Sequence, residues 1–176
     1  MIDPVIFVSI NIAFVLLFLA SMIGKYRDFE VFQALLANYQ LVPVAASGWA
    51  AKAVVAAETG VVLFLLTPLY SYGLILAASI LCVYTVAIAI NVLRGRTHID
   101  CGCLGSEGHG ISGLLVARNV VLLAFLALCL LPHAQRALIW LDYATIGAFV
   151  VCSVLAYLTA NRLIEQTTQQ RLWWSS

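Results

Sequence analysis

Residues 4–24 read PVIFVSINIAFVLLFLASMIG, without a charged side chain anywhere in the run. Lipid offers no partner to a backbone N–H or C=O, so a segment crossing about 30 Å of hydrocarbon does so as a helix of about 20 mainly apolar residues. This run has that length. It opens Met1-Ile2-Asp3-Pro4, with no basic residue ahead of it and an apolar stretch longer than a secretory signal uses, so it is expected to remain as a helix.

Four further stretches meet the same test: Trp49 to Thr67, Tyr72 to Leu93, Ser112 to Leu131 and Tyr143 to Asn161. Pro4, Pro43, Pro68 and Pro132 fall at or outside span ends, where a missing N–H costs least. Trp49, Trp140, Trp173 and Trp174 lie at the expected interfaces, where an amphipathic ring rests at headgroup level. The expected architecture is all-α, a polytopic membrane helix bundle of about five transmembrane helices in one domain over residues 1–176.

Composition agrees. The 176 residues are 64% hydrophobic and only 10% charged, with a mean hydropathy of +1.04, whereas soluble domains carry about a quarter charged residues. A net charge of +1 gives no electrostatic argument for nucleic acid. Between spans, Lys25 to Pro43 places Phe29, Phe32, Leu35 and Leu36 at helical spacing and predicts a short helix on the membrane surface. Pro132 to Leu141 carries a weaker form of the same pattern. The tail from Arg162 is polar up to its Trp pair.

With five spans, the Lys25 to Pro43 segment, the loop after Arg94 and the C-terminus share one face. Lys25, Arg27, Lys52, Arg94, Arg96, Arg162 and Arg171 lie near it, against Arg136 on the other, with Arg118 inside the fourth span. The positive-inside rule makes that face cytoplasmic.

The loop on that face, Arg94 to Ile111, holds five of the eleven glycines and the pair Cys101-Gly102-Cys103. Cysteines one residue apart close only a small, strained disulfide ring, and strain moves a disulfide toward the oxidising, exchange-active end of the scale. Arg94, Arg96, His98 and His109 favour a thiolate, and Asp100 opposes them. Two other readings stay open: a zinc site of His98, Cys101, Cys103 and His109, although structural zinc usually takes cysteines two to four residues apart, and two inert cysteines. Cys82, Cys129 and Cys152 sit in separate spans and read as small buried hydrophobes.

Ionisable groups inside a membrane are costly, so they are candidates for function. On a rise of 1.5 Å per residue, Glu58 lies about 14 Å below the cysteine face and Arg118 about 9 Å, close enough to pair if spans two and four meet. Lys52 and Asn119 lie in the same range. In the functional reading Arg118 or Lys52 holds a quinone oxygen and Glu58 relays protons, with Tyr84 or Trp49 beside the ring; the alternative is a polar cluster that fixes helix packing. His98, His109 and His133 all lie outside the spans, which disfavours haem.

Lys25 with Asp28, Asn38-Tyr39-Gln40-Leu41-Val42-Pro43, Glu58, Gly95-Arg96 before Cys101-Gly102-Cys103-Leu104-Gly105, then Ser112 and Arg118-Asn119 resemble the methylamine utilisation protein MauE family. That family is grouped with the DoxX-like membrane proteins, and the likeness runs to about residue 131. Leu104 stands where the family pattern has Phe. The resemblance implies a four-helix DoxX-like core plus one helix. It also implies assistance in maturing the disulfide-rich small subunit of methylamine dehydrogenase, alongside a thioredoxin-like, MauD-like partner. Cys101 and Cys103 would be the exchange pair in a bacterial inner membrane. Such chemistry favours the periplasmic face, where disulfides persist, against the charge count. The competing classes are a metal-handling transporter using the His/Cys loop and a non-catalytic assembly scaffold.

Overall fold

The computed structural model describes residues 2–96, 111–132, 134 and 136–174. Its regular elements are helices: α1 Pro4–Arg27, α2 Phe29–Asn38, α3 Ser47–Leu65, α4 Tyr70–Leu93, α5 Gly113–Cys129 and α6 Trp140–Trp174, with a 3-10 turn at Val44–Ala46 leading into α3. Among the described residues, four stretches are long and apolar enough to cross a membrane: α1, Val44–Leu65, α4 and Trp140–Ile164. At 17 residues, α5 is about 26 Å long, at the short end of what spans.

Local chemistry sets several boundaries. Asp3 caps α1, its Oδ1 accepting the Val5 N–H at 2.9 Å, and Pro4 takes the first helical position, where no N–H is needed. The helix continues past Gly24 to Arg27, one turn beyond the expected end. The C-terminus of α4 closes as a Schellman motif: Gly95, at φ +72°, donates to Val92 O and Arg96 donates to Asn91 O, each at 3.0 Å. Gly95 is there because a side chain at that φ is strained.

Buried residues recur at steps of three and four. In α1 they are Phe7, Ile10, Phe14, Phe18, Ser21 and Lys25, and in α3 Ala51, Val55, Glu58, Val62 and Leu65. This is the spacing of helices packed side by side at shallow angles. Helix α1 meets α3 and α5, while α4 meets α3 and α5, which closes a four-helix ring. Helix α6 lies along the outside of α1 and exposes Phe149, Val151, Leu155 and Leu158, as a lipid-facing helix does.

Two expectations are corrected. Segment Pro132 to Leu141 is no surface helix: its described residues before Trp140 are not helical, and α6 begins only there. Pro132 and Ala134 instead form a short bridge to Ile2, with Ile2 N–H donating to Pro132 O at 3.0 Å and Ala134 N–H to Ile2 O at 2.9 Å. The Lys25 to Pro43 segment does contain a helix, but α2 buries Phe32 and Leu35 and packs on α3, with Tyr39 buried just beyond it. It is part of the protein core on that side.

The interior has two halves. At the end where α1 begins, Phe7, Ile10, Phe14, Phe18, Val61, Val62, Leu65, Leu74, Ala77, Leu81, Leu126 and Cys129 form one apolar cluster. At the end bearing the Arg94 to Ile111 loop, a second cluster of Phe32, Leu35, Tyr39, Ala51, Val55, Ile88, Ile111 and Leu115 shares its space with the buried polar residues Ser21, Lys25, Glu58, Asn91 and Asn119.

Candidate functional site

The polar half is built around Glu58. Its position in α3, about 17 Å along the helix from Ser47, turns it into the ring, where it is completely buried. Lys25 on α1 is 2% exposed and its Nζ lies 2.6 Å from Glu58 Oε1. The ammonium also donates to Ser21 Oγ at 2.6 Å and to Tyr84 OH at 3.2 Å. Those three acceptors account for all three of its N–H groups. Both hydroxyls then donate onward to Glu58 Oε1, Tyr84 at 2.6 Å and Ser21 at 3.0 Å. The Phe32 and Tyr84 rings lie 5.2 and 5.1 Å from Nζ, within cation–π range. A buried pair repays its desolvation only when the leftover donors and acceptors are satisfied. Here one atom is not: Glu58 Oε2 is buried without a hydrogen-bond partner.

Arg118 does not pair with Glu58, whose hydrogen-bond partners are Lys25, Ser21 and Tyr84. It points to α6 instead. Its Nε and Nη2 donate to Asn119 Oδ1 at 3.2 and 2.9 Å, and its Nη1 donates to Asn161 Oδ1 at 2.7 Å. The guanidinium carbon lies 5.4 Å from the centre of the Tyr157 ring. Lys52 is exposed on α3, its ammonium 5.2 Å from the Trp49 ring, and so faces outward from the ring of helices. Asn119 is buried, with Nδ2 lacking a partner, and the same holds for Asn91 Oδ1 and Ser112 Oγ. These buried donor and acceptor atoms leave hydrogen-bonding capacity unused in the polar half.

Cys101, Gly102 and Cys103, with His98, Asp100 and His109, lie outside the described residues, as does His133. The chain leaves α4 through Arg96 and returns at Ile111, which is fully buried beside Leu115 in the loop-end cluster. Among the described residues no three His, Cys, Asp or Glu side chains come together as a metal site.

A family model described as methylamine utilisation protein MauE matches residues 3–132. The chain belongs to the MauE family. It is 38% identical over 168 residues to the methylamine utilization protein MauE of Paracoccus denitrificans, covering 93% of this chain and 89% of that protein. To the protein of the same name from Paracoccus versutus it is 38% identical over 137 residues, covering 76% and 74% respectively. No solved structure matches the chain. The matched MauE region takes in α1 to α5, hence the whole helix ring, the polar cluster and the cysteine loop.

Within this MauE family member the remaining cysteines are scattered. Cys129 is buried, in line with a packing role, whereas Cys82 and Cys152 are exposed on the outer faces of α4 and α6. Lys25 and Ser21 are site residues that sequence reasoning passed over. A signal for them existed: the three-and-four spacing from Phe7 to Phe18 continues onto Ser21 and Lys25, placing the lysine on the inward face.

Proposed function

We propose that the chain is a membrane thiol-disulfide redox protein that assists disulfide formation in the small subunit of methylamine dehydrogenase, together with a thioredoxin-like partner. Membership of the MauE family gives it a role in methylamine utilisation, and its apolar helices make it a multi-pass membrane protein. What supports the finer reading is the position of Cys101-Gly102-Cys103 in the sequence, between α4 and α5. The C-terminal end of α4 and the N-terminal end of α5, which that segment connects in sequence, lie at the polar half of the interior, where Asn91 Oδ1 and Asn119 Nδ2 are buried without a partner.

In the proposed reaction two partner thiols become a disulfide, and the Cys101–Cys103 disulfide accepts the two electrons and two protons to become a dithiol. A membrane quinone, whose chemistry is to take two electrons and two protons, is the oxidant that restores the pair. Glu58 and Asn119 are the inward polar groups toward its headgroup, Arg118 holds Asn119 in place, and Lys52 stands at the outer margin. The loop faces the periplasm across the bacterial inner membrane in this reading, and the positive charge around it serves the thiolate.

The test is thiol trapping in intact membranes with a mass tag that cannot cross the bilayer, applied before and after reduction. Tagging of Cys101 and Cys103 from the periplasmic side, and only after reduction, is the expected result. Thiols that are tagged without reduction, or only after the membrane is opened, would sink it. Maturation surviving in a Cys101→Ser, Cys103→Ser double variant would instead support an assembly scaffold.

A further inference from the structure

The helices of the ring do not meet equally. Helix α1 packs closely on α3, α3 on α4 and α4 on α5, whereas α5 and α1 touch least and leave a seam. At the end where α1 begins, that seam holds a shallow apolar groove, walled by Ile6, Phe7 and Ile10 on one side and by Leu128, Cys129 and Leu131 on the other. Ile6 and Leu131 are 45% and 51% exposed, so in a bilayer the groove opens sideways to lipid. At the loop end the seam is bridged from outside: Arg118 on α5 reaches Asn161 of α6, the helix that lies along α1, at 2.7 Å.

Asn119 stands at that bridged end and is 1% exposed. Arg118 occupies its Oδ1 through Nε and Nη2, at 3.2 and 2.9 Å, which leaves Nδ2 as a buried donor with no partner. Asn119 and the groove residue Cys129 belong to one buried row of α5, Leu115, Asn119, Leu126 and Cys129, and lie about 15 Å apart along the helix. We propose that the α1–α5 seam is a lateral binding site for a membrane quinone: one ring carbonyl accepts from Asn119 Nδ2, and the isoprenoid tail runs along the seam into the groove. This rests on the quinone reading above and gives that molecule its route and its tail site.

The chemistry selects the occupant. A head that reaches Asn119 must be uncharged, because the polar half already holds a matched ammonium and carboxylate, Lys25 and Glu58, and a further charge would be desolvated without a counter-charge. A phospholipid fails that requirement, since its phosphate keeps the head at the surface and only its chains enter the hydrocarbon. The head must also accept a hydrogen bond, which a ring carbonyl does. The tail must be apolar and long enough to pass the about 15 Å of α5 between Asn119 and the groove, and a polyprenyl chain is both. Lateral entry also leaves the loop face clear for the thiol partner.

The experiment is photo-crosslinking of the full chain in lipid nanodiscs, with labelled peptides mapped by mass spectrometry. Three molecules are compared: a quinone carrying a diazirine on its isoprenoid tail, a tailless quinone with the same ring, and a phospholipid carrying a diazirine on its acyl chain. The tailed quinone is expected to label residues 2–10 and 128–131, to be displaced by excess unlabelled quinone, and to label the Cys101→Ser, Cys103→Ser variant equally. Ile6→Trp and Leu131→Trp, which fill the groove from exposed positions, should each weaken binding of the tailed quinone by about tenfold, the worth of about two buried methylenes. Both should leave the tailless ring unaffected, with circular dichroism confirming each fold. Label confined to other faces of the bundle, or a tailed quinone indifferent to both tryptophans, overturns the seam. A groove labelled by the phospholipid and not cleared by quinone overturns it too, as a surface that lipid covers. If the tailless ring binds while the tail labels elsewhere, the quinone reading stands and the seam falls; if neither quinone binds, both fall.

Discussion

Lys25 Nζ and Glu58 Oε1 meet at 2.6 Å inside the bundle, across 33 residues of sequence, with 2% and 0% of their side chains exposed. The pair joins α1 to α3, and its two charges have no water to fall back on. Removing one partner of a buried pair costs about 3–5 kcal/mol, whereas replacing both with well-packed apolar groups is often neutral. Lys25→Met or Glu58→Met alone is thus expected to lower the unfolding midpoint in detergent sharply. The double variant should recover most of that loss. If the double falls as far as the sum of the singles, the pair is not coupled as the geometry says.

Gly73 sets the approach of α4 to α3. A Cβ there would lie 2.9 Å from Leu65 Cδ2 and 2.9 Å from the Leu65 backbone nitrogen, and the backbone atom cannot swing aside. Gly73→Ala is expected to cost about 1–3 kcal/mol, the range for overpacking a tight interior. Gly147 in α6 has nothing within 4 Å of the same position. Gly147→Ala should be neutral or stabilising by up to about 1 kcal/mol, since alanine is the better helix former. Thermal melts of the two variants side by side decide it.

Much of this fold could be read from patterns of apolar length, and the site only in part. A run such as residues 4–24 has one physical solution in lipid, so α1 to α6 were predictable as spans and a loop-side helix. Rotation of one helix against another is not written in length. Arg118 and Glu58 stand at depths that allow a pair, yet α5 turns Arg118 toward Asn161 and Tyr157 of α6. Lys25 follows an apolar run, where a lysine ordinarily snorkels to the headgroups. Its burial depends on α1 continuing to Arg27 and on α2 folding Phe32 over it. The tail after Arg162 is polar, and its continuation as helix through Trp174 has no apolar period to announce it.

Arg118 holds α6 to α5 through a planar fork: two bonds to Asn119 Oδ1, one to Asn161 Oδ1 at 2.7 Å, and the Tyr157 ring at 5.4 Å. Lysine offers neither the fork nor the stacking plane. Arg118→Lys is therefore expected to loosen α6, by about 1.5–3 kcal/mol for the lost charged hydrogen bonds. Hydrogen exchange measured by mass spectrometry should rise across residues 140–164 and stay unchanged in α3. Equal exchange in both helices would show that α6 is held by its packing on α1 instead.

At the opposite end, Arg136 bridges two carboxylates, donating to Asp3 Oδ1 at 3.1 Å and to Asp142 Oδ2 at 2.7 Å, and so ties the start of α1 to the first turn of α6. The Val5 N–H first, and the Arg136 guanidinium after it, hold the Asp3 carboxyl below its ordinary value of 3.8. The two carboxylates raise the arginine still further above its usual range. A carboxyl whose pKa is lower folded than unfolded contributes its stability in full above the unfolded value and loses it as pH falls through the folded one. Asp3 and Arg136 are exposed and Asp142 is half-buried, so the effect is local and largely screened by salt. Exchange of the Val5 amide is accordingly expected to accelerate, beyond its intrinsic pH dependence, as pH drops below the ordinary carboxylate range. Asp3→Asn should abolish that excess, Arg136→Gln should reduce it, and high salt should mimic Arg136→Gln. A Val5 amide that follows the intrinsic curve in the wild type would show that the Asp3 cap does not hold the start of α1.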